Sequence, residues 1–343
     1  MVTDAPLREP RTMTVGVVTL GLIGGSLALA LRDRGIAVSV WDRNPTTRAT
    51  AREAGLTAFD ELEDLAASGV DLLVVASPLF AMSDIMVRIA RTVPPHTTIT
   101  DAGSVKERVR ESVNAAGLGS QYVGAHPMAG TEKSGFAHAD PHLFDGATWG
   151  LTLAEETKLT RALLVLQFIT RIMSGRALVT TDRIHDDSVA LVSHLPHVLA
   201  HSLTGIAATS PNRELAVRLA AGSFRDGTRV ARGSATRNQA MIVDNSRAVL
   251  GAVDRAIELL TDVRDALDAT EPGTEELTEF FTRGAPIVER ASDGEASESE
   301  VSLDHANWAE QLLAIGATGS LVTGITVGAD VAQAITVNVR GNM

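Results

Sequence analysis

Hydrophobic positions divide the chain into two regimes. From Val15 onward, short apolar runs alternate with stretches of helical period. The runs at 15–20, 38–41, 70–76, 97–100 and 122–125 read as strands, and 24–33, 46–54 and 105–114 read as helices. The run VDLLVVA at 70–76 is nearly all apolar, as a parallel strand covered on both faces must be. Strands alternating with helices over short loops predict a Rossmann-like doubly wound parallel sheet. A further strand, helix and strand at 149–153, 158–174 and 176–181 complete that domain. Beyond Thr181 the helical period dominates 183–208, 212–221 and 235–269, which predicts an all-α second domain. The stretch ASDGEASESE at 291–300 has no bulky apolar residue and reads as an acidic linker. After it come a helix at 304–315 and two strands, 321–326 and 332–339, around Gly328-Ala329-Asp330. The expected organisation is therefore a tail at 1–12, a nucleotide-binding domain at 13–182 and a helical domain at 183–290. The linker at 291–300 and a short helix-plus-hairpin unit at 301–343 follow, the latter with no role assigned from sequence.

Composition narrows the class. The 343 residues carry 30 Lys+Arg against 42 Asp+Glu, a formal net charge of −12, which argues against nucleic acid or an anionic membrane surface as partner. With no cysteine, disulfides, thiolate metal sites and thiol nucleophiles are excluded, and a reducing cytoplasm fits. Residues 12–31 carry no charge, but Gly16, Gly21, Gly24 and Gly25 interrupt them and a second strand follows at once. They read as a strand–turn–helix unit and not as a membrane span.

Candidate chemistry lies where strands end. After the first strand, Gly21, Leu22, Ile23 and Gly24 open a helix whose N-terminal N–H groups and dipole suit a pyrophosphate. Thr19 stands at the first position of the G-x-G-x-x-G fingerprint. Asp42, ending the second strand, can accept hydrogen bonds from a ribose diol and favours NAD. Arg43 beside it leaves NADP open. Ser77 and Pro78 follow the 70–76 strand at the same edge. Ser104 sits before a helix, where it is either a cap or a functional hydroxyl. His126 ends a strand ahead of a Pro/Gly-rich loop, a place for a near-neutral acid–base group or for a surface histidine. His194, His197 and His201 share a helix face, but without a carboxylate at H-E-x-x-H spacing no metal site is expected. Pro196 should bend that helix. Arg229, in a segment with a glycine bend, is either a carboxylate clamp or a solvated helix-end arginine.

Five runs in order, GLIGGS (21–26), TDAGSVK (100–106), HPMAGTEKSG (126–135), SHLPH (193–197) and FRDGTRVA (224–231), resemble the prephenate/arogenate dehydrogenases of tyrosine biosynthesis over about residues 13–265. The resemblance implies a nucleotide-binding domain, a helical domain that forms a homodimer, and active sites in the interdomain cleft. It implies that prephenate, a cyclohexadienol, passes a hydride to NAD⁺ while His126 takes the ring-hydroxyl proton. Loss of CO₂ then gives 4-hydroxyphenylpyruvate, driven by aromatisation. By the same resemblance Ser104 hydrogen-bonds that hydroxyl or orients His126, His197 helps bind substrate, and Arg229 clamps a substrate carboxylate. Three positions depart from the pattern: Thr19, Asn238 where many relatives carry tryptophan, and the segment from Ala291, which matches no regulatory module. Arogenate, or 4-amino-4-deoxyprephenate in a specialised pathway, remains an alternative substrate. A catalytically silent NAD-sensing protein is the alternative of a different class.

Overall fold

The computed structural model describes residues 12–131, 133–268, 274–287, 296–327 and 335–342. Apart from Thr12, the expected N-terminal tail lies outside them, as does the Gly328-Ala329-Asp330 turn. The chain divides into two compact units. One runs to His185 and takes in Glu298–Gly341; the other spans Asp186–Ser297.

In the first unit, β1 (Thr14–Val18), β2 (Ala37–Trp41), β3 (Thr57–Ala58), β4 (Leu72–Val75) and β5 (Thr98–Asp101) form a parallel sheet in the order β3-β2-β1-β4-β5. Helices α1 (Leu22–Asp33), α2 (Pro45–Glu53), α3 (Leu62–Ala67), α4 (Leu79–Ala90) and α5 (Glu107–Ala115) connect the strands. Successive residues of a strand point to opposite faces. Leu72 and Val74 therefore join the apolar cluster of Leu27 and Leu31 from α1, while Leu73 and Val75 join that of Met82 and Ile85 from α4. Both faces being dry explains the unbroken apolar run. Strand order reverses beside β1, next to β4, so the crevice outside their carboxyl ends is the natural ligand position.

The chain continues through β6 (Gly124–Pro127), β7 (Thr148–Thr152), helix α6 (Leu159–Gln167) and β8 (Arg176–Thr180). A parallel bridge between Ile99 and Tyr122 leads from β5 into β6. The second sheet that they begin is mixed, since β6 and β7 pair antiparallel whereas β7 and β8 pair parallel.

Helix α7 (Asp182–Val189) leads into the helical unit, which holds α8 (Leu195–Thr209), α9 (Arg213–Leu219), α10 (Gly222–Gly227), α11 (Ala235–Asp244), α12 (Ser246–Asp268) and α13 (Thr274–Thr282). Between α7 and α8 the residues Ala190–His194 form a π-helical turn, with Pro196 at the start of α8. That is how the proline without an N–H is accommodated. Among the described residues, the buried apolar side chains of this unit are small: Val189, Ala190, Ala200, Ala248, Val249 and Ala252.

Two expectations for the C-terminal segment are corrected. Ala296–Leu303, whose first half was to be linker, is strand β9, and α14 (Trp308–Ala317), β10 (Leu321–Val327) and β11 (Ile335–Asn342) follow. These strands extend the second sheet in the order β6-β7-β8-β10-β11-β9, so residues 301–341 are part of the first unit and not a separate appendage. The acidic composition misled because β9 is an edge strand. Its serines and glutamates face water, and among the residues whose burial is described only Leu303 is fully buried. A Cβ at Gly316 of α14 would lie 1.8 Å from the Val179 carbonyl oxygen, so glycine is required for this helix to lie on β8.

Candidate active site

The turn after β1 is built to receive a phosphate. Gly25 is the first donor inside α1, bonding the Gly21 carbonyl at 2.9 Å, so the N–H groups of Leu22, Ile23 and Gly24 precede the helical ladder. Its two outer glycines serve different ends. A Cβ on Gly21 would meet no atom within 4 Å, so its surface is open for a ligand. One on Gly24 would strike the Thr19 carbonyl oxygen at 1.9 Å, so glycine there permits helix and turn to meet. Asp42 is buried; Oδ2 accepts the Leu20 N–H and Oδ1 the Asn44 N–H, each at 2.8 Å. Each oxygen keeps a second lone pair for a ribose hydroxyl. Arg43 is exposed beside it, and Arg48, which sequence reasoning missed, donates to the Asp42 carbonyl at 2.9 Å.

Thr19 occupies the fingerprint position at φ 75°, a left-handed conformation that costs a β-branched residue about 1–2 kcal/mol. Two bonds hold it there. Its N–H donates to the Trp41 carbonyl at 2.8 Å, and its hydroxyl shares a 2.7 Å hydrogen bond with buried Ser77. The departure from glycine thus leaves the turn's geometry in place. Pro78 precedes the first residue of α4.

At the ends of β5 and β6, a buried polar cluster underlies the next two residues of interest. Asp101 pairs with Lys106, both without exposed surface; Lys106 also donates to the Ala125 carbonyl at 2.7 Å. The Tyr122 hydroxyl donates to Asp101 at 2.7 Å, and the Ala125 N–H to the same oxygen at 3.2 Å. Burial, with the Asp101 charge beside it, pushes the Tyr122 phenol well above its ordinary range, so it stays a donor. Helix α5 begins only at Glu107, with Lys106 at its cap position, so the capping alternative for Ser104 is set aside. The hydroxyl of Ser104 is half-exposed and uncommitted among the described residues.

His126 is half-buried on β6. Its Nδ1 lies 3.0 Å from Nε2 of His185 on α7, with the rings edge-on at 69°. The loop after His126 returns over α1, where Phe136 fills the space a Cβ on Gly25 would take and the Asp140 N–H donates to Ser26 at 2.9 Å.

In the helical unit the three aligned histidines have three different partners. His194 is buried with Nδ1 3.1 Å from the Asn245 amide. His197 Nδ1–H donates to the Ser193 carbonyl at 2.8 Å, which makes Nε2 its basic nitrogen in the neutral ring. His201 Nε2 lies 3.2 Å from the Asn238 amide, so the position that departs from the family pattern supports a histidine two turns from His194. No group of three potential metal ligands occurs among the described residues. Arg229 opens a short 3₁₀ turn, Arg229–Arg232, and its side chain is exposed.

Comparison with known proteins decides the kinship. The prephenate dehydrogenase nucleotide-binding domain profile matches residues 27–176, and the prephenate dehydrogenase dimerization domain profile matches 181–283. A cyclohexadienyl dehydrogenase from Zymomonas mobilis is 31% identical over 272 residues, 78% of this chain and 92% of that protein. The chain belongs to the prephenate dehydrogenase family. Among solved relatives, the Aquifex aeolicus prephenate dehydrogenase in complex with hydroxyphenyl propionate and NAD⁺ superposes with a TM-score of 0.73 at 26% identity, covering 83% of this chain and all of that one. A Synechocystis arogenate dehydrogenase gives 0.72 at 28% identity, covering 81% and 100%. Sequence reasoning missed Asp101, Lys106 and His185 as members of this site. The first two lie inside the quoted TDAGSVK run; nothing local to His185 marks it.

Proposed function

We propose that this chain catalyses the NAD⁺-dependent oxidative decarboxylation of prephenate to 4-hydroxyphenylpyruvate, acting as a homodimer in the cytoplasm. What supports it most is a phosphate-ready glycine turn with a ribose-ready Asp42 and an imidazole-oriented His126 at strand ends of one unit, in a chain of this family. Gly21, Leu22, Ile23 and Gly24 would hold the pyrophosphate, Asp42 the adenosine ribose, and Ser77 and Pro78 would line the same crevice. Arg43 leaves room for some NADP use. When bound, NAD⁺ supplies the hydride acceptor.

His126 accepts the ring-hydroxyl proton while the substrate's C4 hydride departs, and the dienone so formed loses its ring carboxylate as CO₂ to become aromatic. The bonding pair of the broken C–C bond enters the ring, so the protein need only place the substrate and hold a neutral base. Ser104 donates to or accepts from the same hydroxyl. His197 and Arg229 bind substrate, Arg229 gripping a carboxylate by its guanidinium fork. NADH formation with prephenate, then with arogenate, tests the assignment; turnover of neither sinks it. Arogenate is the second reading, favoured by the similarity to the Synechocystis enzyme.

The helical unit supports the dimer. Leu199, Leu203 and Ile206 on α8 and Leu250, Ile257 and Leu260 on α12 are 39–69% exposed, a surface that a second copy would cover. The continuous helical stretch Asp182–Thr209 is long and apolar enough to cross a membrane by composition, yet it carries buried His185, Asp186 and His194. Protein contact, and not lipid, suits that helix.

A further inference from the structure

One contact at the site has no counterpart in the motifs: the imidazole pair His126–His185. His126 faces Gly150 across the β6–β7 register, and a Cβ at residue 150 would fall 2.8 Å from Cδ2 of His185. The missing side chain of Gly150 is therefore the seat of the His185 ring, which is 5% exposed. The start of α7 is tied down too. Asp182 accepts Arg110 Nε at 2.8 Å and the Thr152 hydroxyl, so the helix that presents His185 cannot drift from the strand opposite His126.

We propose that His185 is a positioning residue that fixes the tautomer of His126 and shares the charge when His126 is protonated. It rests on the reading of His126 as the proton acceptor. Of two neutral imidazoles at 3.0 Å, one must donate and the other accept. His126 can present its lone pair on Nε2 only if Nδ1 carries the proton and donates to Nε2 of His185, which then keeps its own proton on Nδ1. Many catalytic histidines are oriented instead by a carboxylate, which stabilises the imidazolium and raises the ring's pKa. A neutral ring orients its partner by the hydrogen bond alone. The charged groups on neighbouring elements are largely compensated: Asp101 on β5 pairs with Lys106, and Asp182 on α7 pairs with Arg110. Strand β7 contributes no charge, and α7 adds Arg183, Asp186 and Asp187.

The test uses the full-length enzyme, with NAD⁺ affinity measured by titration calorimetry and kcat measured against pH. His185→Phe is expected to lower kcat by roughly 10- to 100-fold, with KM and NAD⁺ affinity within about twofold. His185→Gln, which can still accept at Nδ1–H of His126, should recover part of that loss. His185→Glu should move the acid limb of the kcat profile to higher pH, because a carboxylate would now face Nδ1. Wild-type kcat in His185→Phe, alongside an inactive His126→Asn, overturns the proposal and leaves the base assignment standing. An unmoved acid limb in a folded His185→Glu overturns it equally. Activity retained by His126→Asn would sink the base assignment itself, and the proposal with it.

Discussion

The two units dispose of their apolar surface in opposite ways. In the first, the central strands β1, β4 and β5 are buried on both faces, and even charged groups such as Lys106 and Asp101 are enclosed and paired. In the second, the buried apolar residues are mostly alanines, while leucines and isoleucines of α8 and α12 lie on the surface. At about 25 cal/mol per Å² of apolar area, a helical unit that leaves such side chains in water forgoes much of its possible stabilisation. The difference teaches that the first unit buries its own apolar surface, whereas the second leaves a face of the kind that the proposed dimer would cover.

That contrast can be broken most severely from inside the first unit. Lys106→Met strands the Asp101 carboxylate without its partner, and the expected loss is about 3–5 kcal/mol of unfolding free energy, read from urea denaturation. Placing a charge on the bare face of the second unit comes next. Leu260→Arg should shift the protein from dimer to monomer in sedimentation and cost about 1.5–3 kcal/mol per protomer, while NAD⁺ binding by the first unit persists. An unchanged dimer would mean that α12 is not part of the interface. A smaller effect is expected at Arg229, the proposed carboxylate clamp. Arg229→Gln should raise KM by about tenfold or more with NAD⁺ affinity unchanged, as loss of a charged hydrogen bond predicts.

The mildest change lies on the surface of the first unit. The Arg88 guanidinium grips Glu63 with two bonds of 2.8 and 2.7 Å and holds its carboxyl down to about 2 from an ordinary 4.5. A depressed carboxyl stabilises the fold fully above its unfolded value and loses that contribution as pH falls through the folded one. Glu63→Gln should therefore cost about 1 kcal/mol or less at neutral pH, because the pair is partly solvated, and the difference from wild type should vanish toward pH 2.

Much of this was legible before any coordinates. The β–α alternation, the glycine turn and Asp42 are local patterns, and local patterns survive in a linear string. Elements with weak periodicity did not register: β3 is two residues long, and α3 and α4 went unassigned although Met82, Ile85, Met86 and Ile89 form a buried face. Strand β9 was hidden by its own polarity, since an edge strand takes its order from the neighbour's backbone and not from its side chains.

The amino-acid order alone determined the fold class and the place of the nucleotide turn and offered candidate residues for the chemistry, because each depends on near neighbours in the chain. Only the tertiary structure decided that Thr19 could hold a glycine's conformation through Ser77, that Lys106 and Asp101 brace the ends of two strands, and that His126 meets His185. Those facts depend on groups far apart in sequence being brought within hydrogen-bond reach, and side-chain patterning carries no record of that distance.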